Sequence, residues 1–133
     1  MDTILIIEEN KMMRENIKEI MEISNKVVFS AKSCYQGSEV AKDMHPSLII
    51  CDVAGCRNSE LEELKSLGGK RDYIGPAFIF INGKPEEPEM PVTGNCGTVE
   101  YLEMPFDGDE LLGVVARCLV KREQFIKNLL LRN

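Results

Sequence analysis

Short unbroken apolar runs alternate along the chain with longer stretches in which apolar residues recur every three or four positions. The runs are Ile4-Leu5-Ile6-Ile7, Val27-Val28-Phe29-Ser30-Ala31, Leu48-Ile49-Ile50-Cys51, Ala77 to Ile81 and Val99 to Leu102. A continuous apolar run of this length predicts a strand covered on both faces. After the first run Asn10 can cap a helix, and Met13, Ile17, Ile20 and Met21 follow at helical spacing to about Ser24. Ser33 to Met44 predicts a second helix with Val40 and Ala41 inward, broken by His45-Pro46, which places His45 in an exposed turn. Ser59 is a suitable N-cap for a third helix with Leu61, Leu64 and Leu67 inward, and Gly68-Gly69 ends it. Asp107 or Asp109 opens the last helix.

Strands separated by helices of this length make βαβ units and a parallel sheet joined by right-handed crossovers. Ligands of such sheets sit beyond the carboxyl ends of the strands. Glu8 and Glu9 end the first run and Asp52 ends the third, so the pattern delivers three carboxylates to one sheet edge. Such a group can hold a divalent cation and supply a nucleophilic aspartate. A solvated acidic rim without a ligand is the plain alternative.

Pro85, Pro88 and Pro91, followed by Gly94 and Gly97, interrupt the rhythm between the fourth and fifth strands. Proline inside a helix costs about 3 kcal/mol. An irregular loop, or at best a single helical turn, is expected where a fourth helix would normally lie.

From Asp109 to Asn133 the pattern is helical. Leu111, Leu112, Val115 and Leu119 make a core face, and Phe125, Ile126, Leu129 and Leu130 a second apolar cluster after Lys121-Arg122-Glu123. A continuous helix of that length runs about 37 Å, against a radius of gyration of about 14 Å for such a domain. Its last turns are expected to overhang and pack on a second copy or another domain, unless the helix bends back.

The 133 residues make one domain, 44% apolar and 29% charged. Residues 1–120 are read as the domain and 121–133 as an extension of the last helix. The net charge of −6 argues against direct nucleic-acid binding. No apolar run reaches a membrane span, and no leader-like segment precedes the first strand. A cytoplasmic protein is therefore expected, with Cys34, Cys51, Cys56, Cys96 and Cys118 reduced. Cys51 and Cys118 fall in apolar runs and read as core residues, and zinc spacings are absent. No Ser-His-Asp or Cys-His constellation is present, so no enzyme acting on a diffusible substrate is expected. A flavodoxin-like cofactor binder would need a phosphate-cradling loop where this chain has Glu8-Glu9.

The order and spacing of these segments resembles the receiver domain of two-component response regulators over about residues 3 to 120. Ile4 to Glu9 matches an I-L-I-V-D-D opening, and Pro46 to Asp52 matches P-D-L-I-L-x-D. Gly97 to Phe106 matches G-A-x-x-Y-L-x-K-P-F, followed by Asp109-Glu110-Leu111-Leu112. The resemblance implies a flavodoxin-like, doubly wound, five-stranded parallel sheet of order 2-1-3-4-5. It implies that Asp52 accepts a phosphoryl group from a histidine kinase or phosphotransfer protein. It implies Mg2+ held by Glu9, Asp52 and the Ala54 carbonyl, with Glu8 acting partly through water. The switch positions are Asn82, where the family has Thr or Ser (Ile81 would take that place if the gap moved one residue), Tyr101, and Met104, where it has Lys.

These departures leave two readings open. Glu9 reaches about 1.5 Å further than Asp, which suits a strict Mg2+ octahedron less well than a more tolerant divalent cation. Asn82 can still donate an N–H, whereas Met104 carries neither donor nor charge. Either Asp52 is phosphorylated and output passes by protein contact, or the chain is a pseudo-receiver that binds partners without phosphate. The last helix, the fifth strand and the 84–97 loop are the expected contact surfaces, with a homodimer through the last helix as one outcome.

Overall fold

A computed structural model describes residues 2–70, 72–82 and 98–132. Among these, β1 (Thr3–Ile7), β2 (Val27–Ala31), β3 (Leu48–Asp52), β4 (Ala77–Ile81) and β5 (Val99–Leu102) form one parallel sheet. Its order is β2-β1-β3-β4-β5, a doubly wound α/β fold of flavodoxin-like topology. The helices are α1 (Lys11–Ile23), α2 (Cys34–Met44), α3 (Asn58–Lys65) and α4 (Gly108–Leu131). The proline-bearing segment from Pro85 to Gly97, with its expected irregular loop and Cys96, lies outside the described residues.

The unbroken apolar strands are explained by cover on both sides. Ile4, Ile6, Leu48, Ile50 and Ile79 face α1 and α4, where they meet Ile17, Met21, Leu111, Val115 and Cys118. Leu5, Ile7, Ile49, Cys51, Phe78 and Phe80 face α2 and α3, where they meet Cys34, Ala41 and Leu64. Each large buried aliphatic or aromatic side chain contributes about 1.5–3 kcal/mol.

The helix starts follow local chemistry. Asn10 accepts from the Met13 N–H at 2.9 Å and Asp107 from the Glu110 N–H at 2.8 Å. Ser33 caps α2 by accepting from Gln36. The third helix departs from expectation: it begins at Asn58, one residue before Ser59. A 3-10 turn over Val53–Gly55 follows β3 directly, and the Glu60 carboxylate accepts the Arg57 N–H at 2.8 Å. It also stops at Lys65, ahead of Gly68 and Gly69, whose φ values of 101° and 70° turn the chain back toward β4. His45 is exposed and left-handed as the α2 C-cap, and its ring stacks on Tyr73 at 4.4 Å.

The thiol expectation fails at one pair. Cys34 and Cys56 are joined by a disulfide, with their Cα atoms 5.6 Å apart. The crossover from β2 to β3 starts α2 at the carboxyl edge of the sheet, beside the loop that leaves β3. Sequence spacing alone does not show that neighbourhood. In the chain-entropy view, a bridge closing a loop of this size stabilises by about 3 kcal/mol. Cys51 and Cys118 are buried free thiols, as their apolar contexts predict.

α4 is continuous over 24 residues. Glu100 on β5 binds the Arg117 guanidinium and the Lys121 ammonium, each at 2.9 Å. Further along, Arg122 donates to the Gly75 carbonyl at 2.9 Å, and Phe125 packs on the core. Leu129, Leu130 and Leu131 are 39%, 69% and 84% exposed, so the apolar pattern outlasts the sheet that could cover it.

Two substitutions separate packing from propensity. A Cβ on Gly37 would fall on the Cδ1 of Ile7 and only 2.6 Å from its Cγ1, whereas one on Gly113 meets nothing within 4 Å. Gly37→Val is expected to lower urea stability by about 1–3 kcal/mol through overpacking. Gly113→Ala is expected to raise it by about 0.5–1 kcal/mol. A second prediction concerns pH. The Arg117 guanidinium, opposed by partial burial and helped by Lys121, holds Glu100 down to about 2 from 4.5. Its contribution is therefore complete above 4.5 and lost as pH falls through about 2. Because both cations are half exposed, Glu100→Gln should cost about 1 kcal/mol at pH 7, and the two melting curves should converge in strong acid.

Candidate functional site

β1 and β3 are neighbours in the sheet, with Ile7 paired to Cys51, so the residues that follow each strand emerge side by side. Glu8 leaves β1 with its N–H on the Ala31 carbonyl at 3.1 Å. Its side chain is only 5% exposed, and Oε2 accepts the Asn10 N–H at 3.1 Å. Burial is the main force holding the Glu8 carboxyl above its ordinary range, the Asn10 N–H opposes it, and the charge and hydrogen bond of Asp52 add to it. The Glu8 carboxyl thus resists ionising beside Asp52.

Asp52 is the last residue of β3 and is half-buried. Its Oδ1 accepts the Ala54 N–H at 3.0 Å and the Asn82 Nδ2–H at 3.2 Å. Asn82 follows β4 in a left-handed conformation with φ 64°, its own N–H reaching the Leu102 carbonyl at 3.3 Å. Asparagine is tolerated there, while a β-branched Thr would be strained. The backbone at this position therefore favours the amide over the hydroxyl.

Glu9 is exposed and its carboxylate lies over Gly55, where an added Cβ would stand 3.2 Å from Oε2. Glu8, Glu9, Asn10, Asp52, Ala54 and Gly55 line an open cavity of about 350 Å³. The expected cation ligands, Glu8, Glu9, Asp52 and the Ala54 backbone, are thereby brought together. Their donor set is all oxygen, as a hard divalent cation requires.

The switch residues are placed less uniformly. Asn82 touches Asp52 directly. Met104 is 42% exposed and borders a second cavity of about 260 Å³ with Met12, Met13, Glu8 and Asp52. Its peptide bond to Pro105 is cis. Tyr101 sits on β5 opposite Phe80, with ring centres 6.2 Å apart, and borders neither cavity.

Sequence reasoning missed Arg14. Its Nη1 donates to the Glu8 carbonyl at 2.8 Å and to the Glu9 carbonyl at 3.3 Å, bracing the turn that carries both acids. The available signal was its position in the first turn of a helix that begins directly after those acids. No sequence spacing marks the meeting of Cys34, Cys51 and Cys56, whose three sulfurs lie within 4.8 Å of one another. The Cys51 thiol is pushed up to about 12, chiefly by burial and then by the Asp52 and Glu8 charges.

Residues 4–116 match the family model for the response regulator receiver domain. Among curated proteins, the chain is 29% identical over 115 residues to the transcriptional regulatory protein CrdR of Helicobacter pylori, covering 86% of this chain and 53% of that protein. It is 26% identical to the KDP operon transcriptional regulatory protein KdpE of Escherichia coli, covering 84% of this chain and 48% of that one. The chain thus spans about half the length of these relatives. Among solved structures, a CheY-like receiver domain protein from Methanospirillum hungatei superposes with a TM-score of 0.74 at 20% identity, over 93% of this chain and 98% of that one. The chemotaxis protein CheY4 of Vibrio cholerae gives 0.73 at 19%, over 90% and 99%. At such identities the two structures speak for the fold alone. Among the described residues no helix is long and apolar enough to cross a membrane. With its family model matched from the first strand into the last helix, the chain belongs to the response regulator receiver domains of two-component signalling.

Proposed function

We propose that this receiver accepts a phosphoryl group on Asp52 and that its acidic edge holds a divalent cation. The observation that carries the reading is the open cavity in which Glu8, Glu9, Asp52 and Ala54 converge. Receiver domains typically bind Mg2+, and two-component signalling implies a histidine kinase partner. Glu8, Glu9, Asp52 and the Ala54 carbonyl would hold the cation, which when bound neutralises the negative charge that meets an incoming phosphoryl group.

The remaining chemistry belongs to the chain. An Asp52 carboxylate oxygen attacks the phosphorus of a phosphohistidine or a small phosphodonor, and the imidazole or donor anion leaves. The Ala54 N–H and the Asn82 amide fix the carboxylate in place through Oδ1. After transfer, the Asn82 amide, which already donates to Asp52, is placed to donate to a phosphoryl oxygen. Met104 offers no such bond, which forfeits about 1.5–3 kcal/mol of the grip a lysine supplies. The phosphorylated state of this atypical receiver is therefore held weakly, and its output is a protein contact. The exposed end of α4, with Leu129 and Leu130, is a surface for a downstream target or a second copy.

A second reading is favoured by two specific observations: the Asn82 amide already occupies Asp52, and Met104 lacks charge. On that reading the chain is a pseudo-receiver whose contacts do not depend on phosphate.

Intact mass spectrometry after incubation with Mg2+ and acetyl phosphate separates the two. One phosphoryl adduct is expected, absent in Asp52→Asn. A folded protein that takes no adduct would establish the pseudo-receiver. A pH prediction follows from Glu8. Below its unfolded value of 4.5 both states are protonated and Glu8 costs nothing. As pH rises through 4.5 and then through the raised folded value, the folded state keeps its proton longer and stability falls. Glu8→Gln should therefore raise Tm at pH 7, with the gain gone below 4.5. Mg2+ should raise Tm in the parent more than in the variant; equal shifts would remove Glu8 from the cation site.

A further inference from the structure

The loop that leaves Asp52 is held from two directions. The Cys56 N–H donates to the Val53 carbonyl at 3.1 Å, and the Cys56 sulfur lies 3.8 Å from the Asp52 carbonyl and 3.5 Å from the Cys51 sulfur. The Cys34 disulfide then fixes Cys56 to the first residue of α2. Between Asp52 and Cys56 lie Ala54 and Gly55, which line the acidic cavity. The bridge thus anchors the far end of a segment that is only a few residues long and carries part of the site.

We infer that Cys34 and Cys56 form a reversible redox tether for the phosphoacceptor loop, and that reducing it loosens the cation site. This rests on the cation reading of the acidic cavity given above. Cys34 is buried and Cys56 is part exposed, so a thiol from solvent meets the Cys56 sulfur first. The thiolate of a small dithiol attacks that sulfur, and Cys34 leaves with the bonding pair and takes up a proton. The second thiol of the reductant then displaces Cys56, which takes up the other proton, and the reductant departs as its cyclic disulfide. Two electrons pass from the dithiol to the protein, and an oxidising small disulfide runs the steps backward. With the bridge open, the loop from Val53 to Cys56 keeps its 3-10 turn but loses its covalent hold on α2.

The third sulfur raises a rival, a thiolate site for a thiophilic metal ion. Two facts favour the tether. The Cα separation of 5.6 Å lies within the range that a disulfide spans. A disulfide is neutral, whereas a metal site would gather three thiolates, two of them buried, beside Asp52 and Glu8.

The test uses the whole chain, purified without reductant and divided into oxidised and dithiothreitol-treated samples. Alkylation under denaturing conditions should add two more labels per chain after reduction, mapped to Cys34 and Cys56. Hydrogen exchange over 52–57 should quicken several-fold on reduction while 48–51 stays protected. Mn2+ affinity, read from water-proton relaxation, should weaken several-fold. The Cys34→Ser, Cys56→Ser double variant should match the reduced sample under either treatment; if it does not fold, the reduced parent supplies the same comparison. Equal label counts, or unchanged exchange over 52–57, would overturn the tether. Changed exchange with unchanged Mn2+ affinity would overturn its link to the cation site. Stoichiometric Zn2+ in native mass spectra, with Cys34, Cys51 and Cys56 all protected, would replace the tether by the metal site. No Mn2+ binding in either state would reject the cation reading itself, and the exchange comparison would then decide the tether alone.

Discussion

The meeting of Glu8 and Asp52 at one edge of the sheet is the constraint on which the rest of this molecule turns. Two acids are brought together because β1 and β3 pair in parallel register and both end there. One is 5% exposed and resists ionising, the other is fixed by two donors on one oxygen. Such an arrangement is unfavourable on its own terms. It persists because the strands that carry it are buried on both faces, and shifting one register would pull a full layer of Ile, Leu and Phe out of the core. The stability of the core is what makes an acidic edge of this kind tolerable.

The supports around the acids fix both backbone and one oxygen each of the Glu8 and Asp52 carboxylates. Arg14 grips the carbonyls of Glu8 and Glu9. Asn10 satisfies its own helix while its N–H steadies Glu8. The disulfide holds the far end of the Asp52 loop. Gly55 leaves room for the longer Glu9 side chain, since any Cβ there would crowd its carboxylate. A Glu in place of the shorter acid is thus matched by a missing side chain opposite it.

Most of the fold was legible in the sequence because it is written in short-range signals. Apolar runs marked β2, β4 and β5 to the residue, Asn10 and Ser33 marked two helix starts, and of the two candidates Asp107 and Asp109 the first caps the last helix. The α3 boundary was not legible, because Ser59 is as good a cap as Arg57 is poor, and what decides is the 3-10 turn imposed by the exit from β3. At the site, the acids could be placed from strand ends alone. The sulfur cluster could not, since Cys34 and Cys56 are 22 residues apart and meet only through the crossover. Arg14 was hidden for another reason: its partners are carbonyls, which every residue carries and no sequence pattern marks.

Asn82 shows how a departure from a family pattern can be local necessity. A hydroxyl residue is expected there, yet the backbone takes φ 64° on leaving β4 to reach the Leu102 carbonyl. Thr would be strained in that conformation, whereas Asn accepts it and its amide lands on Asp52. The same amide that would steady a phosphoryl group thereby engages the bare aspartate. On the proposed reading, the bond that Asn82 gives to a phosphoryl oxygen replaces one it already gives to Asp52, which narrows the difference between the two states. With Met104 adding no charge, any response to a phosphoryl group on the proposed reading would be set by what Asn82 gains on changing partner and by how freely the loop between Asp52 and Cys56 can follow. A loop held at both ends follows little, so on that reading the anchor at Cys56 limits how far the segment after Asp52 can move.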